Sequence, residues 1–132
     1  MRSINSNFAN SKDGEIMIFN GISRDFDLTD EQQYDTIGRF WDEMALLYGL
    51  ENLRGLGYKW QGNTISYAIG LKNGDIENRN LQILLPDDGW TTVSGQTDFL
   101  KEIYDKIYQN GRLQYEIETF YADGTCEISF YR

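Results

Sequence analysis

The sequence predicts a single α+β domain built from duplicated β-α-β-β units. These are expected to form one antiparallel or mixed sheet with two helices on one side and a central ligand cleft. Three observations carry the prediction. Apolar residues alternate with strand period, switch to helical spacing and return to strand period, and the cycle then repeats. Turns bearing glycine and asparagine separate the paired strands. At 132 residues the chain has room for one domain and little more. The halves share this order without visible sequence identity, so the repeat is one of pattern only.

Residues 1–13 are polar, rich in Asn and Ser, and read as an arm ahead of a domain spanning 14–132. The run from Glu15 to Phe26 is rich in Ile and Phe and reads as a strand, bulged at Gly21. A helix follows, for which Thr29 with Gln32, or Asp30 with Gln33, offers a capping box. Ile37, Phe40, Trp41, Met44 and Tyr48 recur at helical spacing, and Gly49 is the stop signal. Gly38 inside this helix costs about 1 kcal/mol relative to alanine, which suggests that another backbone approaches closely.

Strands at 53–60 and 64–72 flank a tight turn at Gln61-Gly62-Asn63. NLQILLP (80–86) reads as a further strand, Pro86-Asp87-Asp88-Gly89 as a turn and TTVSG as a short strand. The second helix, TDFLKEIYDKIYQNG, is expected to be capped by Thr97 or Asp98 and to end at Gly111. Phe99, Leu100, Ile103, Tyr104 and Ile107 form its apolar stripe. LQYEIETFY and TCEISFYR, on either side of Ala122-Asp123-Gly124, make a closing hairpin. A pocket is expected in the cleft between the halves or on the sheet face opposite the helices.

Composition narrows the chemistry. With 21 acidic and 12 basic side chains and no histidine, the formal charge is −9. Such a surface repels phosphate backbones and anionic lipid, which argues against direct DNA binding and against a membrane-surface role. The lack of histidine removes Ser-His-Asp triads, Cys-His pairs and histidine-ligated zinc. Chemistry must then rest on carboxylates, tyrosines, lysines or the lone Cys126. That cysteine cannot form an internal disulfide and falls in a strand, so it is expected to be buried and inert in a cytoplasmic protein. No apolar window of 18 residues and no signal-peptide core is visible. Gly55-x-Gly57 lacks the third glycine and the following helix of a dinucleotide loop, and Asp87-Asp88 is ordinary turn chemistry. No metal site or cofactor is expected.

Tyr115-Glu116-Ile117-Glu118 is the most suggestive segment. In a strand, Glu116 and Glu118 share one face and Tyr115 and Ile117 the other. Two readings stand. The pair forms a solvated acidic edge, or a carboxylate faces an aromatic hollow and answers a cationic ligand, with ring faces adding cation–π attraction. Trp41, Trp60, Tyr67, Trp90, Tyr104, Tyr108 and Tyr131 are candidates to line that hollow or to pack the core. Trp41 and Tyr104 lie on apolar helical stripes and lean toward core, whereas Trp60, Tyr67 and Trp90 lie on or beside strands and face either way.

The order of motifs resembles a known family. A strand ending Asn20-Gly21-Ile22-Ser23-Arg24 precedes a helix with Ile37-Gly38-x-Phe40-Trp41. Tyr67-Ala68-Ile69-Gly70-Leu71, a turn before Trp90, a second helix and Leu113-x-Tyr115-Glu116-Ile117-Glu118 follow. Over about residues 14–132 this is similar to the GyrI-like domain, the effector-binding domain of AraC- and MerR-type bacterial regulators. The resemblance implies a duplicated β-α-β-β fold whose cleft binds small, often aromatic and cationic molecules. It implies that Glu116, with Glu118 beside it, meets the ligand's charge. Trp41, Tyr67 and Tyr131 or Phe130 would match pocket aromatics. Only a short polar arm precedes the first strand, where family regulators carry a DNA reader. A stand-alone sensor or sequestering protein, monomer or homodimer, is therefore expected. Two alternatives remain open. One is a small hydrolase using Glu116 or Glu118 with Tyr67 or Tyr104. The other is an acidic interaction protein of the gyrase-inhibitor type.

Overall fold

The computed structural model describes residues 17–27 and 33–132. The described residues form seven strands and two α-helices, in chain order β1 (Met17–Asp27), α1 (Gln33–Tyr48), β2 (Leu53–Gln61), β3 (Thr64–Leu71), β4 (Leu81–Leu85), β5 (Thr91–Gln96), α2 (Leu100–Tyr108), β6 (Tyr115–Phe120) and β7 (Thr125–Tyr131). The strands form one antiparallel sheet in the order β4-β1-β3-β2-β6-β7-β5. The α+β class follows directly. Each half is a β-α-β-β unit, β1-α1-β2-β3 and β5-α2-β6-β7, and the two join edge to edge where β2 pairs β6. Strand β4 is added outside this repeat, on the free side of β1. The arm at 1–13 and the capping boxes at Thr29 to Gln33 lie outside the residues whose side chains are described.

Both helices cover the same face. From α1, Phe40, Trp41 and Met44 pack on Leu53, Tyr67 and Ile69, and each such burial contributes roughly 1.5–3 kcal/mol. From α2, Tyr104 and Ile107 pack with Leu113 and Ile128. The opposite face holds Met17, Phe19, Leu56, Ala68, Leu85 and Ile117. Gly49 takes a φ of 86° and ends α1 as the stop signal implied. Cys126 is buried.

Four local expectations are corrected. No register shift occurs at Gly21, where β1 instead changes partner from β4 to β3. A Cβ on Gly21 would stand 2.6 Å from the Ile69 carbonyl oxygen, so glycine is needed there for close strand approach. The irregularity lies in β2, between Tyr58 and Gln61. Gly38 meets no backbone, since a Cβ there would have nothing within 4 Å. Neither Thr97 nor Asp98 caps α2 through its side chain, because the chain enters through a 3-10 turn at Thr97–Phe99. Phe99, expected in the apolar stripe, is 56% exposed as a consequence.

Candidate functional site

The seam between the halves builds the site. Gly55 and Gly57 of β2 pair with Glu118 and Glu116 of β6. Strand alternation sends both carboxylates toward the helices, into space that the two glycines leave empty. A Cβ on Gly57 would sit 2.8 Å from Glu116 Oε1, and one on Gly55 would collide with the Tyr67 hydroxyl. Above this floor lies a cavity of about 850 Å³. Its walls are Trp41 and Gly38 from α1 and Tyr104 and Tyr108 from α2, with Tyr67, Trp60 and Phe120 from the sheet. The volume suits a small organic ligand.

Trp60 reaches the cavity through a backbone feature. By simple alternation from Gly55 and Gly57, residue 60 would face the other side of the sheet. Lys59 adopts a left-handed φ of 56° within the β2 irregularity, and this changes the phase. Trp60 then packs with the cluster of Tyr104, Leu113 and Ile128.

Hydrogen bonds hold the carboxylates. The Trp41 indole N–H donates to the Tyr67 hydroxyl at 2.9 Å, and that hydroxyl donates to Glu118 Oε1. The Tyr104 hydroxyl donates to Glu118 Oε2. The Tyr108 hydroxyl reaches Glu116 Oε2 at 3.1 Å, and its ring stacks on Tyr104 at 5.5 Å and 17°. Glu116 and Glu118 are only 4% and 5% exposed. Among the described residues, no lysine or arginine forms an ion pair with either.

Burial, without a counter-charge among the described residues, sets the electrostatics. Loss of water holds Glu116 well above the ordinary carboxyl range, and repulsion from Glu118 adds to this, while Tyr108 and Tyr104 pull the other way. Glu118 is raised by burial, against the pull of Tyr104 and Tyr67. Burial and the neighbouring carboxylates drive the Tyr67 and Tyr104 hydroxyls well above their usual value, so they stay protonated donors.

The structure therefore brings together Glu116, Glu118, Trp41, Trp60, Tyr67, Tyr104 and Tyr108 from the residues singled out in sequence. Trp90 and Tyr131 stand apart from this cavity. Their rings lie 5.6 Å from each other and about 6 Å from Tyr115. Alternation along β6 and β7 sends Tyr115 and Tyr131 to the face away from Glu116, and the Trp90 indole is tied to the Pro86 carbonyl at 2.8 Å. Gly55-x-Gly57, too short of glycines for a nucleotide loop, lies within strand β2. Two glycines at i and i+2 of a strand are themselves a signal for space on one face. Gly38 likewise lines the cavity, and its missing side chain keeps the space open.

No sequence-family profile matches this chain, and no curated protein matches it. Among solved structures, it is similar to SAV2435 bound to tetraphenylphosphonium, with a TM-score of 0.59 over 89% of this chain and 92% of that chain. At 14% identity the likeness establishes a shared fold.

Proposed function

We propose that the protein binds a small aromatic or amphipathic organic cation in the cavity between its two helices, as a sensor or sequestering protein. One observation carries this reading: Glu116 and Glu118 are buried beneath aromatic walls without a cationic partner among the described residues. Buried carboxylates are ordinarily paired, because an uncompensated charge costs several kcal/mol. A ligand cation supplies the missing charge. The ring faces around it add roughly 0.5–2 kcal/mol each. The proposed ligand set is Glu116, Glu118, Trp41, Trp60, Tyr67 and Tyr104. The fold shared with a protein solved with tetraphenylphosphonium supports the same reading, as does the resemblance to the GyrI-like effector-binding family.

Trp41 and Trp60 line the cavity, so a ligand there quenches intrinsic fluorescence. Titration with tetraphenylphosphonium is expected to give saturable quenching, with triphenylphosphine oxide as a neutral control of similar shape. Glu116→Gln should weaken phosphonium binding about tenfold or more, which is about 1.4 kcal/mol. Equal response to the cation and the neutral control would end the proposal.

A further inference from the structure

Glu116 and Glu118 are not one shared carboxyl group. Their Cα atoms lie about 7 Å apart along β6, and although Tyr104 pulls on both, each carboxyl has a donor the other lacks, Tyr67 for Glu118 and Tyr108 for Glu116. Glu118 is clamped by Tyr67 and Tyr104, which reach it from the sheet and from α2. Glu116 meets Tyr108, one helical turn further along α2. Resting on the cation-binding reading above, we propose that the cavity is a two-charge site. Its best ligand is a compact aromatic dication, and a monocation enters only with one proton retained on the carboxylate pair.

The surroundings leave the carboxylates as the groups that exchange this proton. Strand β2 contributes only Gly55 and Gly57 beneath them. Tyr67 from β3 and Tyr104 from α2 stay protonated, and Tyr108 is the remaining donor on α2. From β7, Cys126 lies in the field of Glu118, and burial pushes its thiol up. At the cavity rim, α1 presents Asp42 and the β6–β7 turn presents Tyr121, whose hydroxyl is pushed up to about 12. Arg112, before β6, also lines the cavity but is solvent-exposed and forms no ion pair with either glutamate. One bound positive charge therefore leaves one buried carboxylate to be neutralised, and a proton is the species available to do it.

The test compares methyl viologen with N-methyl-4-phenylpyridinium, a biaryl frame of nearly the same shape carrying one charge instead of two. Calorimetric titration in buffers of different ionisation enthalpy, at one pH, counts protons released on binding. Viologen should release about one more proton than the monocation, whatever the protonation of the empty site. In Glu116→Gln the difference should vanish, and viologen's affinity advantage should fall about tenfold. Glu118→Gln should do the same, and Glu116→Gln keeps the test intact if loss of the Tyr67–Tyr104 clamp unfolds the protein. Equal proton counts for the two bound ligands overturn the two-charge site while leaving cation binding in place. Failure of both cations to bind removes the cation-binding reading and this inference with it.

Discussion

The two faces of the sheet bury ionisable groups of opposite kind, and neither pairs with the other. On the helix face lie Glu116 and Glu118. On the far face lies Arg54, 7% exposed, donating to the Met17 sulfur at 3.4 Å and the Ile18 carbonyl at 3.3 Å. Its guanidinium lies 4.9 Å from the centre of the Phe19 ring, and its Nε has no partner among the described residues. Burial pulls its pKa down to about 10. Arg54 precedes Gly55 in the same strand that underlies the carboxylates, so a shift of one residue in β2 would carry it to their face. The fold thus has a cation close at hand in sequence and keeps it on the wrong side. On the far face, the Phe19 ring, the Met17 sulfur and the Ile18 carbonyl serve the charge locally. On the helix face, the partners among the described residues are hydroxyls, beneath a cavity of about 850 Å³.

Supplying the helix face with its own cation is the strongest way to break this contrast. Tyr108 is 41% exposed and touches Glu116, so Tyr108→Arg puts a guanidinium where the ligand charge is proposed to sit. Tetraphenylphosphonium affinity should fall about 100-fold, or about 2.8 kcal/mol. Arg54→Met, on the far face, should leave that affinity within about twofold, or about 0.4 kcal/mol. Fluorescence titration of both variants checks this. Equal losses would mean that the faces are not electrostatically independent.

A second, smaller effect appears without ligand, as pH dependence of stability. Glu116 has a raised pKa in the folded state, so the native protein holds this proton more tightly than the unfolded chain. Its contribution is fully present below the unfolded value of about 4.3 and is lost as pH rises through the raised folded value. Glu116→Gln cannot ionise. In urea titrations from acid to mildly alkaline pH, the variant should therefore gain on the wild type as pH rises. A difference that stays flat across that window would place the Glu116 carboxyl in a far better solvated setting than the cavity provides.

Much of this architecture was legible in the chain because it rests on local rules. The helical stripe of Ile37, Phe40, Trp41 and Met44, the stop at Gly49 and the shared face of Glu116 and Glu118 all follow from residue spacing. Which face is concave does not, because it depends on β2 pairing β6 across some 60 residues. That long-range seam decides that Glu116 looks into a cavity while Tyr131 and Trp90 look away. The α2 entrance was missed for a related reason. The Thr97 backbone N–H goes to the Gly124 carbonyl at 2.8 Å, a tertiary contact that favours a 3-10 start over a side-chain cap.

Lys59 is the least legible feature and gives the smallest and most local test. A left-handed φ is unfavourable for a residue with a Cβ, by about 1–2 kcal/mol relative to the right-handed region. Nothing in the composition of Tyr58-Lys59-Trp60 announces it. Yet this residue turns Trp60 onto the helix face and so decides whether a third wall stands beside the carboxylates. Lys59→Gly should keep the turn and relieve its strain, raising stability by up to about 1 kcal/mol with phosphonium quenching unchanged. Lys59→Ile is expected to do the reverse, since a β-branched side chain resists positive φ. The strand would then regularise, Trp60 would swing toward the far face, and quenching amplitude would drop even at saturating ligand. If Lys59→Ile kept the full amplitude, the position of Trp60 would have to come from packing against Tyr104 and Leu113 and not from the backbone at residue 59.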